Sequence, residues 1–245
     1  MSIVSSELRL YCAASMPEND TATTGGAIDL EVRPVFTQLT ADAVGAAVSD
    51  GADTRDVAFT GRLDTGAISS ETETLNGAVE VTTTAEFERL LKVLATTTSG
   101  TRTVTIKQGA GGSTVATIPP NEKGFRLMFY NSASESGEVV RNEKCFYYNA
   151  NPTLTLTDAE IELSADPSTF IKIGLAASKD DTATIANRLA TPGGISFVDD
   201  GVAQAIPDNT LEAETGIGIW IKQTLPAAQA PAKSTFTLQI TGKSI

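Results

Sequence analysis

Short runs in which apolar residues alternate with threonine or charged residues recur along the whole chain. A period of two is typical of β-strands with one buried and one exposed face, and each run is short for an amphipathic helix. Turn residues such as Asp-Gly, Asn-Gly and Pro-Gly separate the runs, which favours antiparallel sheets over alternating strands and helices. The clearest runs cover residues 8–11, 79–81, 102–107, 153–163, 169–175, 217–222 and 235–240.

One segment departs from this alternation. Thr83 and Glu86 have the spacing of a capping box, which marks the start of a helix. Apolar residues with helical spacing follow, namely Phe87, Leu90, Leu91 and Leu94. We therefore expect one short amphipathic helix at about residues 85–95, covering a face or an edge of a sheet.

The 245 residues are enough for two β domains. A small, polar stretch at residues 131–141 suggests a boundary, which predicts an N-terminal β-rich domain at 1–135, containing the helix. The remaining residues, 136–245, contain about six or seven strand candidates, as in an immunoglobulin-like antiparallel β-sandwich. The antibody pattern of Cys, Trp and Cys is missing, because no cysteine follows Trp220. The expected likeness is therefore to sandwich architecture.

The chain is acidic, with 30 Asp and Glu against 18 Lys and Arg and a formal charge of −12. Such a surface repels nucleic acid phosphates and anionic membranes. The sequence also lacks an apolar stretch of about 20 residues, and its first residues lack the basic and apolar regions of a signal peptide. We therefore expect neither a nucleic acid nor a membrane partner, and synthesis in a cytoplasm.

The absence of histidine limits the chemistry open to this chain. Most general-base triads and catalytic zinc sites use imidazole, so these classes of site are excluded. Motifs for a serine nucleophile are also missing, and the glycine-rich segment 108–114 lacks the Lys-Ser/Thr ending of a phosphate loop and predicts a hairpin turn. We expect no catalytic residue, no cofactor and no metal site.

Paired acids are the remaining candidates for catalysis or calcium binding. Glu160 and Glu162 would share one face of a strand, as the carboxylate pair of a glycosidase requires. They alternate with Ile161 and Leu163, however, which is typical of a solvated outer face. Other acidic pairs are Glu71 with Glu73, Asp180 with Asp181, and Asp199 with Asp200. The last two pairs fall in predicted loops, where Asx turns are favoured and calcium is a minor alternative.

Cys12 and Cys145 are the two cysteines of the chain. Neither belongs to a cluster with metal-ligand spacing, so each is interpreted as a small buried apolar residue. A disulfide between them is the minor alternative, since both flank predicted strands.

Aromatic residues in strands are more often core or subunit-contact residues than ligand platforms. On this basis Trp220, Tyr147 and Tyr148 are the candidate interface residues. Trp220 is interpreted as either a core residue or an interface anchor.

Three stretches resemble virion structural proteins of tailed bacteriophages that have β-sandwich domains. They are SSELRLYCAASMPENDTATTGGAIDL near the start, NEKCFYYNANPTLTLTDAEIELSADPS in the second half, and TGIGIWIKQTLPAAQAPAKSTFTLQITG at the end. Residues 35–125 depart from that pattern. The resemblance implies a place in a virion and carries no site residues across.

These observations predict a non-enzymatic structural component of a tailed-phage virion, assembled in the host cytoplasm. An acidic surface favours the particle exterior, as a capsid decoration or tail-associated protein. The expected partners are other virion proteins and copies of itself in a homo-oligomer. The alternative is a carbohydrate or host-surface binding module of the virion. A hydrolase that uses Glu160 and Glu162 is a third hypothesis.

Overall fold

The computed structural model describes residues 2–34, 37–98, 100–129, 136–230 and 235–244. Within these ranges the chain is mainly β, as the alternation predicts, and the helical segments are single 3₁₀ turns at Ser5–Glu7 and Pro207–Asn209. The strands are β1 (Leu8–Ser15), β2 (Thr24–Asp29), β3 (Val32–Arg33), β4 (Ala43–Ser49), β5 (Asp56–Arg62), β6 (Ile68–Thr74), β7 (Val81–Phe87), β8 (Arg89–Ala95), β9 (Val104–Gln108), β10 (Thr114–Ile118), β11 (Gly124–Arg126), β12 (Val139–Asn149), β13 (Leu156–Ala165), β14 (Ile171–Lys179), β15 (Thr184–Ile185), β16 (Gln204–Ala205), β17 (Thr210–Leu211), β18 (Gly216–Leu225) and β19 (Thr237–Ser244).

The chain divides into two compact units. Unit 1 consists of residues 1–29 and 134–245, and unit 2 consists of residues 30–133. Unit 2 is therefore an insertion within the chain of unit 1.

This division differs from the sequence prediction of domains at 1–135 and 136–245. Residues 1–29 belong with the C-terminal half because β1 pairs with β12, from Leu8 opposite Asn149 to Cys12 opposite Cys145. Strand periodicity reveals that a segment is β but does not identify its partner strand. Residues 131–135, just before the predicted boundary, lie outside the described residues.

Unit 1 contains a six-stranded sheet in the order β14-β18-β12-β1-β2-β15. Its longest ladder joins β12 to β18, from Val139 opposite Leu225 to Tyr148 opposite Gly216. A second sheet forms around β13, which pairs with β16, β17 and β19. The Tyr147 hydroxyl of β12 donates a hydrogen bond to the Leu238 carbonyl of β19, so the two sheets are linked directly.

Unit 2 contains a four-stranded sheet in the order β10-β9-β4-β7 and a five-stranded sheet in the order β3-β11-β8-β5-β6. Pairing is antiparallel except between β3 and β11. Both sheets contribute alternate side chains to one apolar cluster that includes Phe59, Phe87, Val93, Ile106 and Ile118. The interior of unit 2 is thus the product of period-two alternation on facing strands.

The predicted helix at 85–95 is wrong, because this segment forms the strands β7 and β8. Thr83 does not cap a helix: its hydroxyl accepts a hydrogen bond from the Gly45 amide and donates one to the Ala85 carbonyl. The supposed capping residue therefore fastens β7 to β4.

A β-bulge explains why this segment imitates a helix. Thr60 of β5 is opposite Lys92, but the next residue, Gly61, is opposite Leu90, so Leu91 is the additional residue of β8. Both Leu90 and Leu91 are consequently buried. Two adjacent core residues in one strand reproduce the spacing of a helical face.

Candidate functional site

The most unusual feature of unit 1 is a run of buried polar residues on its central strand. Arg141, Asn142, Glu143 and Lys144 of β12 are each at most 4% exposed. Successive residues of a strand point to opposite faces, so charges enter the interior on both sides of the sheet. Burying a charge is costly unless it is paired, and the partners of these groups therefore determine what the region can do.

The first buried cluster joins Asp20, Arg141, Glu143 and Arg188. Arg141 donates to both carboxylate oxygens of Asp20, with Nη2 to Oδ2 at 2.7 Å. Arg188 lies 3.4 Å from Asp20 Oδ1 through Nη1 and 2.9 Å from Glu143 Oε1 through Nη2. Two arginines and two carboxylates thus form one chain of ion pairs that ties the segment after β1 to β12.

Burial alone would raise the pKa of Asp20, but hydrogen bonds and charge from Arg141, with a further contribution from Arg188, outweigh it. The net effect is a pKa below the ordinary value of an aspartate. Asp20 is therefore held in its charged form, which suits a structural ion pair. A general acid would require the opposite shift.

The second cluster is centred on Lys144, whose side chain is fully buried. Its ammonium nitrogen lies 2.6 Å from Asp181 Oδ2. The carbonyl oxygens of Gly26, Asp181 and Ala183 are 3.0, 2.9 and 3.3 Å from the same nitrogen. Lys144 therefore fastens β2 and the loop after β14 to the central strand.

Aromatic rings complete the surroundings of Lys144. Its Nζ lies 4.8 Å from the ring centroid of Phe146 and 5.5 Å from that of Trp220. Burial lowers the pKa of Lys144, although the hydrogen bond and charge of Asp181 act in the opposite direction. The ammonium group of Lys144 thus contacts a carboxylate, three carbonyl oxygens and two aromatic rings of the same unit, which indicates a structural role.

A pocket of about 130 Å³ lies beside the indole of Trp220. Its walls include alanines and glycines, with Asp181, Ile185 and Ile195 among the larger side chains. Binding sites for small molecules usually have about 300–1,000 Å³. This pocket suits one small apolar group.

The three predicted interface residues have different surroundings. Trp220 is 1% exposed and is therefore a core residue, the first of the two interpretations considered for it. Tyr147 is also buried, and its hydroxyl is bound to Leu238. Tyr148 is partly exposed and packs edge-on against Tyr11, with ring centroids 5.9 Å apart. Of the three, Tyr148 is therefore the residue whose side chain is accessible to a partner protein.

The acidic pairs do not converge on a cleft. Glu160 is exposed and Glu162 half-buried on β13, while Ile161 and Leu163 between them are buried, which is the predicted outer-face pattern. In the two loops, Asp180 Oδ1 accepts the Gly216 amide at 2.8 Å, and Asp199 pairs with Lys172. Within the described ranges no group of three or more acidic or cysteine side chains is arranged to hold a metal ion.

Glu71 and Glu73 of β6 have opposite pKa shifts. Burial raises the pKa of Glu71, but hydrogen bonds from the Thr84 and Ala85 amides outweigh it and lower the pKa overall. For Glu73, burial and the neighbouring charge of Glu71 both raise the pKa. Separated pKa values occur in acid–base pairs. Here the carboxylate of Glu71 already accepts hydrogen bonds from β7 and so joins β6 to β7.

The glycine-rich segment 108–114 is the predicted hairpin turn. It joins β9 to β10, and the Gln108 amide donates to the Ser113 carbonyl at 3.0 Å. A phosphate loop is thereby excluded for this segment.

Sequence reasoning missed the buried charges. The sequence RNEK at residues 141–144 could have revealed them, because three charged residues within four positions interrupt an otherwise apolar strand. Their partners, Asp20, Asp181 and Arg188, are far away in sequence.

In the part of the chain that is described, no helix has the length and apolar character needed to cross a membrane. Comparison with known proteins finds no matching family model, no matching curated protein and no matching solved structure.

Proposed function

We propose that this chain is a non-enzymatic structural component of a tailed-phage virion, placed on the particle exterior as a capsid decoration or tail-associated protein. Its partners are other virion proteins and copies of itself, and it is assembled in the host cytoplasm. The main observation behind the proposal is that the buried charged side chains form ion pairs with other residues of the same unit. Lys144, Arg141 and Arg188 all bind carboxylates of the same unit, and they fix loops to the central strand.

Such internal pairing supports a rigid scaffold. A buried ion pair adds little net stability compared with apolar packing, but it strongly disfavours arrangements in which one partner is left alone. Loops held this way keep a constant surface shape, which repeated contacts in a particle require. The two sheets of unit 1, linked by the hydrogen bond of Tyr147 to Leu238, also support the immunoglobulin-like sandwich that forms part of this proposal.

The distribution of charge supports an exterior position. Unit 1 has 18 acidic and 9 basic residues, a formal charge of −9, whereas unit 2 has 12 and 9, a charge of −3. On β13 the outward side chains include Asp158 and Glu160, both exposed. A surface of this kind repels packaged DNA.

An exposed sheet edge supports assembly through protein contacts. Among the described strands, β19 pairs only with β13, and most of its residues are exposed. A strand with one unpaired edge can add a strand from a neighbouring chain. This edge is available for contact with a second copy or another virion protein.

The alternative is a carbohydrate or host-surface binding module of the virion. The pocket beside Trp220 is the feature that favours it, since indole rings commonly stack on sugars. Against it, Trp220 is almost fully buried and the pocket is small. An array of glycans probed with the purified chain separates the two functions: the scaffold predicts no binding, and a defined glycan ligand would favour the module.

The direct test is quantitative mass spectrometry of phage particles whose genome encodes this chain. After density-gradient purification, with heads and tails separated, we expect the chain at a constant copy number relative to the major capsid or tail protein. Sedimentation of the purified chain should show a discrete oligomer. Absence from purified particles together with a strictly monomeric chain would overturn the proposal.

A further inference from the structure

Cys12 and Cys145 are direct neighbours in the six-stranded sheet, although the whole of unit 2 lies between them in sequence. They face each other in the ladder of β1 and β12, which runs without a register shift from Leu8 opposite Asn149 to this pair. Directly opposite residues place their side chains on the same face of a sheet. The two thiols therefore project into the same layer of the interior.

The hydrogen bonds of the ladder fix the kind of pair. The Ala150 amide donates to the Glu7 carbonyl at 2.7 Å, so the backbone of Ala150 points toward β1, as at a hydrogen-bonded position of the ladder. Hydrogen-bonded and non-hydrogen-bonded pairs alternate along an antiparallel ladder. Counting from Glu7, Cys12 and Cys145 form a non-hydrogen-bonded pair.

The opposite edge of β12 gives the same result. The Asn149 amide donates to the Thr215 carbonyl at 2.9 Å, toward β18. Every second residue of β12 therefore directs its amide toward β18, and Cys145 is one of them. Its amide points away from β1, as a non-hydrogen-bonded pair with Cys12 requires.

A non-hydrogen-bonded pair has the closer backbones, with Cα atoms about 4.5 Å apart. A disulfide needs Cα atoms about 4.4–6.8 Å apart and Cβ vectors that point toward each other. The typical Cα separation of a non-hydrogen-bonded pair thus lies within the disulfide range, and directly opposite side chains project from the same face of the sheet. The chain has no third cysteine that could compete for either thiol.

We propose that Cys12 and Cys145 are a modification site that forms a cross-strand disulfide when the protein meets an oxidising medium. The two thiols are reduced in the structure. The oxidant is a low-molecular-weight disulfide of the glutathione class. One protein thiolate attacks it and releases one small thiol; the second protein thiolate then attacks the mixed disulfide and releases the other. Two protein thiols lose two hydrogens, and the small disulfide is reduced to two thiols.

The surroundings control when this reaction occurs. Both residues are at most 2% exposed. Burial, with a smaller contribution from the charge of Glu143, raises the pKa of Cys145 to about 12, which keeps the thiol protonated and slow to react at neutral pH. The bond forms when β1 opens briefly, and it then joins the two chain segments of unit 1 covalently.

Two routes to the oxidised state test the proposal with the full chain. The native protein is incubated for days with oxidised glutathione at mildly alkaline pH, and the same chain is expressed in a host with an oxidising cytoplasm. We expect the intact mass to fall by the two hydrogens lost and all thiols to disappear on titration in denaturant. A non-reduced tryptic digest should link peptide 10–55, which contains the uncleaved Arg33-Pro34 bond, to peptide 145–172.

The oxidised protein should also unfold at a temperature higher by about 5 °C or more, because the bond closes a very long loop in the unfolded chain. Reduction should abolish this shift. Cys12→Ser and Cys145→Ser variants, or the Ala variants where Ser is not tolerated, are the controls. Their unfolding temperature should change neither on oxidation nor on reduction. Intact thiols after both routes, a stable glutathione adduct, or a disulfide between two chains would each overturn the proposal.

Discussion

The interiors of the two units are built differently. In unit 2, strands from both sheets place alternate apolar side chains in one cluster, with Phe59 and Phe87 fully buried in it. In unit 1, the central strand β12 is buried on both faces from Arg141 to Tyr147, and much of this run is polar or charged. The first kind of interior follows from a pattern of residue types. The second depends on which distant groups meet, so removing one partner leaves a buried charge unpaired.

The largest effect that this comparison predicts is in unit 2. Phe59→Ala should reduce the free energy of unfolding by about 4 kcal/mol, because it removes a buried ring and leaves a cavity. Chemical denaturation measures the loss, and hydrogen exchange by mass spectrometry should assign it to peptides of residues 30–133. A loss below about 1 kcal/mol would mean that the apolar cluster is not the main support of unit 2.

A second substitution sharpens this result. An added Cβ at Gly45 would lie 2.6 Å from Phe59 Cδ1, so Gly45→Ala should cost about 2 kcal/mol by overpacking. In the Phe59→Ala background the same change has room, and its cost should fall to near zero. A double-mutant cycle measures this coupling. Equal costs in both backgrounds would show that the two residues do not share one packed space.

The matching test in unit 1 is Lys144→Met, which keeps chain length but removes the ammonium. Asp181 and three carbonyl oxygens lose their common donor, so we expect a loss of about 3 kcal/mol. Hydrogen exchange should quicken in β2 and in the loop after β14, which Lys144 connects to the sheet. Unchanged exchange in those segments would contradict the role given to this cluster.

The acid sensitivity of unit 2 can be tested at Asp53, whose carboxylate is bound by Arg55. Hydrogen bonds from the Arg55 side chain outweigh burial and lower the pKa of Asp53 to about 2. A pKa that is lower in the folded than in the unfolded state stabilises the fold above the ordinary aspartate value. This contribution of about 2 kcal/mol is lost as the pH falls from about 4 toward 2. Unfolding at stepwise lower pH should show this loss for the natural protein and a flatter profile for Asp53→Asn.

The same contrast explains how much the sequence could predict. The alternation of apolar and polar residues was sufficient to predict the strands and the apolar core of unit 2. It also predicted that Glu160 is exposed, because the neighbouring Ile161 occupies the buried face. It failed at Leu90 and Leu91, where a bulge inserts one residue and creates helical spacing. It also failed for the long-range partners, since nothing local to Lys144 indicates Asp181, and nothing local to Leu8 indicates Asn149.

The smallest expected effect belongs to an ion pair on the surface of unit 1. Lys172 lies on β14 of the same six-stranded sheet as Lys144 and binds Asp199 with Nζ to Oδ1 at 2.8 Å, but the two side chains are 40% and 66% exposed. Water solvates these charges whether or not they meet, so Lys172→Met should change the free energy of unfolding by less than about 1 kcal/mol. The residue type, the substitution and the sheet are the same as for Lys144→Met, and burial is the main difference between the two sites. A loss as large as that of Lys144→Met would mean that burial does not determine the value of these pairs, and the distinction drawn for the interior of unit 1 would not hold.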